Sequence, residues 1–176
     1  PGGLVPVGRA PRRAPPQRGR RGGGGAAGAG VLRWEPIEHM LVARQFHAMT
    51  GGSLPGTVVA LGGCNGNDNV LASASRYAPG AANNWTQLPD MTTPRYNLAA
   101  ATLNGTVFAL GGQVSQGNGR LGSVEAFDLA AGAHWTLLAA SMTTPRYWHA
   151  AAVLRGLIYA AGGTRDGSVE RFDGGA

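Results

Sequence analysis

Three tryptophans at nearly equal intervals constrain this chain more than any other feature. Trp34, Trp85 and Trp135 stand 51 and 50 residues apart, Arg44, Arg95 and Arg146 are each 51 apart, and the pairs Gly62-Gly63, Gly111-Gly112 and Gly162-Gly163 are 49 and 51 apart. A fixed period of this length marks supersecondary units stacked side by side, because one such unit cannot bury its apolar faces alone. The repetition reaches single letters. Met91-Thr92-Thr93-Pro94-Arg95-Tyr96 returns as Met142-Thr143-Thr144-Pro145-Arg146-Tyr147, and Met40 stands in the same place before Arg44. Ser123-Val124-Glu125-Ala126-Phe127-Asp128 returns as Ser168-Val169-Glu170-Arg171-Phe172-Asp173, with Ser73 to Tyr77 as a weaker first copy.

Within one unit the local signals describe four short strands. In the second copy, Asn97 to Leu103 is a run of small and apolar residues, Asn104-Gly105 supplies the positive φ angles of a tight hairpin, and Thr106 to Leu110 is β-branched and aromatic. A polar loop follows Gly111-Gly112, then a strand over Ser123 to Asp128 and a fourth over His134 to Leu137. The alanine runs at 99–101 and 150–152 favour helix by intrinsic propensity. Position overrules that preference: turns at Gly105 and Gly156 cut each run short, and a helix of that length is marginal. Four antiparallel strands in about 50 residues make one blade of a β-propeller.

The pattern of Pro-Arg, Gly-Gly, a variable loop, an aromatic before Asp, and then Trp resembles the Kelch repeat. The resemblance covers residues 34–173. It implies an all-β fold, a partial β-propeller of about three four-stranded antiparallel Kelch blades at roughly 44–88, 95–138 and 146–173, with the Trp34 strand belonging to a preceding blade. The first copy departs from the pattern: Val42-Ala43 replaces Thr-Pro, Ser53 to Gly56 lengthens the hairpin, and Ala78 replaces Asp. The third copy lacks its Trp. Closed propellers have about four to eight blades, so three leave an open arc, its missing blades coming from the full-length chain or a second subunit.

Recurrence separates scaffold from contact residues. Trp34, Trp85, Trp135, Tyr77, Phe127, Phe172 and the glycines Gly62, Gly63, Gly111, Gly112, Gly162 and Gly163 read as structural: the rings pack between blades, and the glycines stand where a side chain collides or φ is positive. Arg44, Arg95 and Arg146 read as ties from loop to blade. Strand alternation places the loop after each glycine pair and the entry to each blade on one face. The resemblance puts partner contacts there, on Phe46, Asn65, Asn97, Gln113, Tyr147, Trp148 and Arg165. Of these, Phe46/Asn97/Trp148 and Asn65/Arg165 occupy places that differ between copies, and Trp148 is the foremost. His47 and His149 share a place filled by Leu98 in the middle copy, which fits packed histidines better than metal ligands.

Charge is concentrated at the start. All 15 basic residues are Arg, and six of them fall in the first 30 residues with no acid to balance them, while the rest balances nine Arg against nine acids. Residues 1–30, rich in Pro, Gly and Arg and without aromatics, bury too little apolar surface to order themselves and are expected to form a disordered tail. A linker, or sequence not truly translated, is the plainer reading of that tail; an Arg-Gly segment that binds RNA is the sharper one. Without an initiator Met or a sustained apolar start, the chain reads as a fragment or processed product. No apolar run nears the ~20 residues of a membrane helix. The compartment stays open, with the cytoplasm favoured.

The function these features imply is a non-catalytic protein-interaction module, a substrate adaptor or scaffold presenting propeller loops to a protein or peptide partner, with no cofactor and no metal. A copper oxidase of the galactose-oxidase kind, which is similar to Kelch propellers, is the rival: Cys64, Tyr96, Tyr147 and His149 supply its residue types. Their places in the repeat are accounted for without copper. No motif pairs a nucleophile with a base.

Overall fold

The computed structural model of the chain describes residues 33–53, 56–80, 84–115 and 119–174. The expected tail at 1–30 lies outside them. Residues Ile37–Ala176 form one compact unit, separate from Pro1–Pro36. Within the described residues of that unit every regular element is a strand.

Three antiparallel sheets follow one another along the chain. The first has β1 (Ala48–Gly51), β2 (Val58–Leu61), β3 (Ala74–Tyr77) and β4 (Trp85–Leu88) in the order 1-2-3-4. The second repeats this with β5 (Ala99–Leu103), β6 (Thr106–Leu110), β7 (Val124–Asp128) and β8 (Thr136–Leu137). The third has β9 (His149–Leu154), β10 (Leu157–Gly162) and β11 (Val169–Phe172) and no fourth strand among the described residues. Each sheet is one blade of a β-propeller. Both alanine runs are strands, β5 and β9, because their hairpin partners supply a backbone ladder that an isolated short helix lacks. Asn104 and Gly105, with φ of 50° and 81°, close the β5–β6 hairpin with both central residues left-handed, and Arg155-Gly156 repeats the turn at 52° and 75°.

The core lies between blades, since alternate residues of a strand face opposite sides. Val59, Leu61 and Ala48 of the first blade meet Leu98, Val107, Ala109, Phe127 and Trp135 in one cluster. Ala99, Ala101, Leu103, Phe108, Leu110 and Val124 of the second blade meet Ile158, Ala151 and Phe172 in the next. Within blades, Tyr77 lies 5.2 Å from Trp85 and Phe127 lies 5.3 Å from Trp135, between ring centroids. Phe172, whose blade has no described Trp, instead meets Phe108 edge-on at 5.8 Å.

Each indole is held from the linker that enters its blade. Trp85 Nε1–H donates to Glu38 O at 3.1 Å and Trp135 Nε1–H to Pro89 O at 2.9 Å, two carbonyls one repeat apart. The glycine pairs sit where chain segments cross: a Cβ on Gly62 comes within 2.4 Å of Arg95 O, and one on Gly111 within 2.5 Å of Arg146 O. Both also have positive φ.

One expected element is absent. No strand runs through Trp34: residues 33–40 are irregular, and Trp34 is fully exposed rather than packed as scaffold. The physical reason is that a fourth strand needs a third to pair with, and no described strand precedes β1.

Candidate binding face

The loops after the glycine pairs and the entries to the blades meet through isolated bridges, Gln45 to Cys64 and Tyr96 to Gln113, which bring both sets to one face. Beneath them lie the recurring arginines. Arg95 is wholly buried and donates to Gly111 O at 2.9 Å, Ser123 O at 3.2 Å and Glu125 Oε1 at 2.7 Å. Arg146 repeats this with Gly162 O, Ser168 O and Glu170 Oε1 at 2.9, 2.9 and 2.8 Å. The two glutamates also accept backbone N–H groups of the Thr-Thr step, Thr92 and Thr93 for Glu125, Thr143 and Thr144 for Glu170. Burial works against ionisation of Glu170, but Arg146 and those amides outweigh it and hold the carboxyl below its ordinary range. In the first blade Ser75 stands in place of the glutamate, so the carboxylate of the tie is missing. Arg44 keeps only its bonds to Gly62 O, Ser73 O and Ser73 Oγ.

Two residues past each arginine the backbone turns left-handed. Phe46, Asn97 and Trp148 have φ of 56°, 54° and 53°, a conformation that costs a non-glycine residue about 1–2 kcal/mol. Backbone bonds between blades hold it: Asn97 N–H donates to Phe46 O at 2.8 Å and Trp148 N–H to Asn97 O at 2.9 Å. Nothing in the letters marks this geometry for Phe46 and Trp148, since only Asn among the three tolerates it well.

The expected contact residues divide once placed. Asn97 and Gln113 are buried and bonded to each other, Asn97 Nδ2–H to Gln113 Oε1 at 3.2 Å, so they brace the middle of the face from below its surface. Covered by both neighbouring blades, the middle blade has the least surface to offer. Asn65 turns its Oδ1 inward to the N–H groups of Asn67 and Asn69 and shapes its own loop. Phe46 and Trp148 are exposed, as is Arg165.

Phe46 lies at the entry to the first blade, while Trp148 and Arg165 lie together on the third beside half-buried Tyr147. Tyr147 and Trp148 rings lie 5.0 Å apart at 46°, and the Arg120 guanidinium sits 4.7 Å above the Tyr147 ring, also donating to Tyr147 Oη at 3.5 Å. These three line an open groove with Gly163, Thr164 and Arg165. Arg120, in the loop after Gly111-Gly112, joins this face without any recurrence in the repeat to mark it. Its signal is topological: it bridges back to Gln113, which carries it from the second blade to the edge of the third.

Of the residues of the copper reading, Cys64, Tyr96 and His149 are buried, whereas Tyr147 lines the groove. Tyr96 is buried, its hydroxyl donating to Ser115 O at 3.1 Å, and burial raises its pKa. His149 is buried against Gly111 and Gly163, and burial, then Arg146, lowers its pKa to about 4. His47 is lowered for the same reasons, burial first and then Arg44. Among the described residues no cluster of three His, Cys, Asp or Glu side chains is placed to hold a metal.

Repeated four-stranded antiparallel blades, packed face to face and sharing one loop face, define a β-propeller repeat chain. One of these repeats, residues 94–139, matches the Kelch motif. The chain is similar to an F-box/kelch-repeat protein of Arabidopsis thaliana, 34% identical over 107 residues, covering 60% of this chain and 28% of the relative. It is also similar to human Kelch-like protein 35, 29% identical over 151 residues, covering 82% of this chain and 22% of the relative. The chain thus spans about a quarter of the length of these relatives. The similarity points to a protein-interaction module.

Proposed function

We propose that this chain acts without catalysis, as a scaffold or substrate adaptor that binds a protein or peptide through the loop face, with the third-blade groove at its centre. The observation that carries this reading is Trp148, an indole 69% exposed on a left-handed backbone position, flanked by Tyr147, Arg120 and Arg165. Exposed Trp, Tyr and Arg are the side chains that dominate protein interfaces: Trp and Tyr bury much area with few rotors to freeze, and Arg adds a planar set of charged donors. Strain held at a site of this kind favours a binding role over a packing one.

The test is selection of peptides from a random display library on the immobilised chain, followed by affinity measurement against W148A and R165A. Peptides whose binding falls at least tenfold with both variants support the reading. Peptides that bind all three proteins equally defeat it.

A further inference from the structure

The loop after Gly62-Gly63 carries the pair Asn65-Gly66. Where glycine follows asparagine, the next backbone nitrogen can close on the side-chain carbonyl, because no Cβ stands in the way. Three features of this loop bear on that attack. Asn65 Oδ1, the oxygen that would take up negative charge, accepts the N–H groups of Asn67 at 3.0 Å and Asn69 at 3.1 Å. Two fixed backbone donors on one carbonyl oxygen are the arrangement that stabilises a tetrahedral oxyanion. The leaving group, Asn65 Nδ2, and the nucleophile, Gly66 N, make no hydrogen bond among the described residues, so neither is tied down. A Cβ on Gly66 meets nothing within 4 Å, and residues 66–69 are exposed, so water reaches the site. That exposure belongs to the loop itself. In the middle blade, which has a neighbour on either side, Val114, Ser115 and Arg120 of the corresponding loop are exposed as well.

Asn104-Gly105 is the same pair of letters in another setting. It closes the β5–β6 hairpin with both residues left-handed, and the ladder beside it, Leu103 opposite Thr106, holds the turn fixed. Among the described residues no donor reaches Asn104 Oδ1.

We propose that Asn65 is a self-modifying site, deamidated by its own loop. Gly66 N bonds to Asn65 Cγ, the Cγ–Nδ2 bond breaks, and ammonia leaves with the Gly66 amide proton, which gives a cyclic imide. Water then opens the ring. Opening at Cγ yields aspartate with the main chain restored, whereas opening at the Asn65 main-chain carbonyl yields isoaspartate, with one more carbon in the main chain. The folded loop favours aspartate, because the bonds from Asn65 N–H to Asn69 O and from Asp68 N–H to Asn65 O, at 3.1 and 3.0 Å, need the ordinary chain length. The new carboxylate keeps both donors of Oδ1 and strengthens those bonds by its charge. The loop face thereby gains a negative charge with time and without an enzyme.

Mass spectrometry of tryptic digests tests this. Every basic residue is Arg, so trypsin places Asn65 in residues 45–76 and Asn104 in residues 96–120, and fragmentation locates the new acid within each peptide. The 176-residue chain is held at mildly alkaline pH, folded or in urea, and sampled over time. In the folded chain Asn65 converts at least tenfold faster than Asn104 and gives mainly aspartate. In urea that advantage is lost and isoaspartate predominates. G66A, which the open space around Gly66 admits without disturbing the fold, slows the folded conversion at least tenfold. An Asn65 rate in the folded chain no greater than that of Asn104, or no greater than its own rate in urea, overturns the proposal. So does isoaspartate as the main product of the folded chain, or an unchanged rate in G66A.

Discussion

Arg95 and Glu125 form an ion pair at 2.7 Å with both side chains wholly buried, joining the entry of the second blade to its third strand. The same glutamate caps Thr92 and Thr93, so one carboxylate closes the linker from the first blade onto the second. Its counterpart, Glu170, does the same for the third blade at 23% side-chain exposure.

The difference in burial sets the size of the first prediction. E125A leaves a buried guanidinium without its anion and two amides uncapped, and is expected to destabilise by about 3–5 kcal/mol. E170A, with water able to reach the site, costs about 1–3 kcal/mol. Urea denaturation of both variants checks the order. Equal losses would show that the pair's worth does not depend on its solvent exclusion.

Trp135 packs on Phe127 and bonds Pro89 O, so W135A removes a buried ring and one end of the tie to the first blade. A loss of about 3–5 kcal/mol is expected from the cavity and lost burial. The measurement is the same denaturation, with near-ultraviolet circular dichroism to report packing around the aromatic rings.

Trp148 sets stability against binding. W148N replaces an exposed indole by the residue that the middle blade carries at the same left-handed position, and Asn tolerates that backbone. The variant is expected to be more stable by up to about 1 kcal/mol while its affinity for selected peptides falls at least tenfold. Thermal melts and binding curves on one preparation separate the two effects.

His149 gives a pH dependence with a fixed sign. Its pKa falls from 6.5 to about 4 on folding, chiefly through burial and then through Arg146. The unfolded chain therefore takes up the proton first. Stability from this group is present above pH 6.5 and is lost as pH falls toward 4. H149L, which copies Leu98 of the middle blade, is expected to flatten this part of the profile. Denaturation midpoints between pH 7 and pH 4 check it, and an unchanged slope would refute the assignment.

Much of the architecture was legible in the letters, and the reasons are local. Asn104-Gly105 can serve a left-handed hairpin turn at little cost, and the glycine pairs recur because crossing carbonyls leave no room for a Cβ. The binding face was legible less evenly. Phe46 and Trp148 stand out by differing between copies, but Asn97 differs too and is buried, because variation reports freedom from the fold only where no neighbouring blade covers the residue. Arg120 carries no local signal because its partner Tyr147 lies 27 residues away in the chain and in another blade.

The sequence by itself determined the repeat, the order of strands within it and the face on which the loops gather, since each follows from short-range patterning and turn chemistry. Only the tertiary structure decided which recurring glutamates pair with buried arginines, which contact candidates reach solvent, and that the segment at Trp34 is not a strand. Those outcomes depend on what packs against each residue from another blade, and burial and strand pairing are properties of neighbours that no single stretch of chain contains.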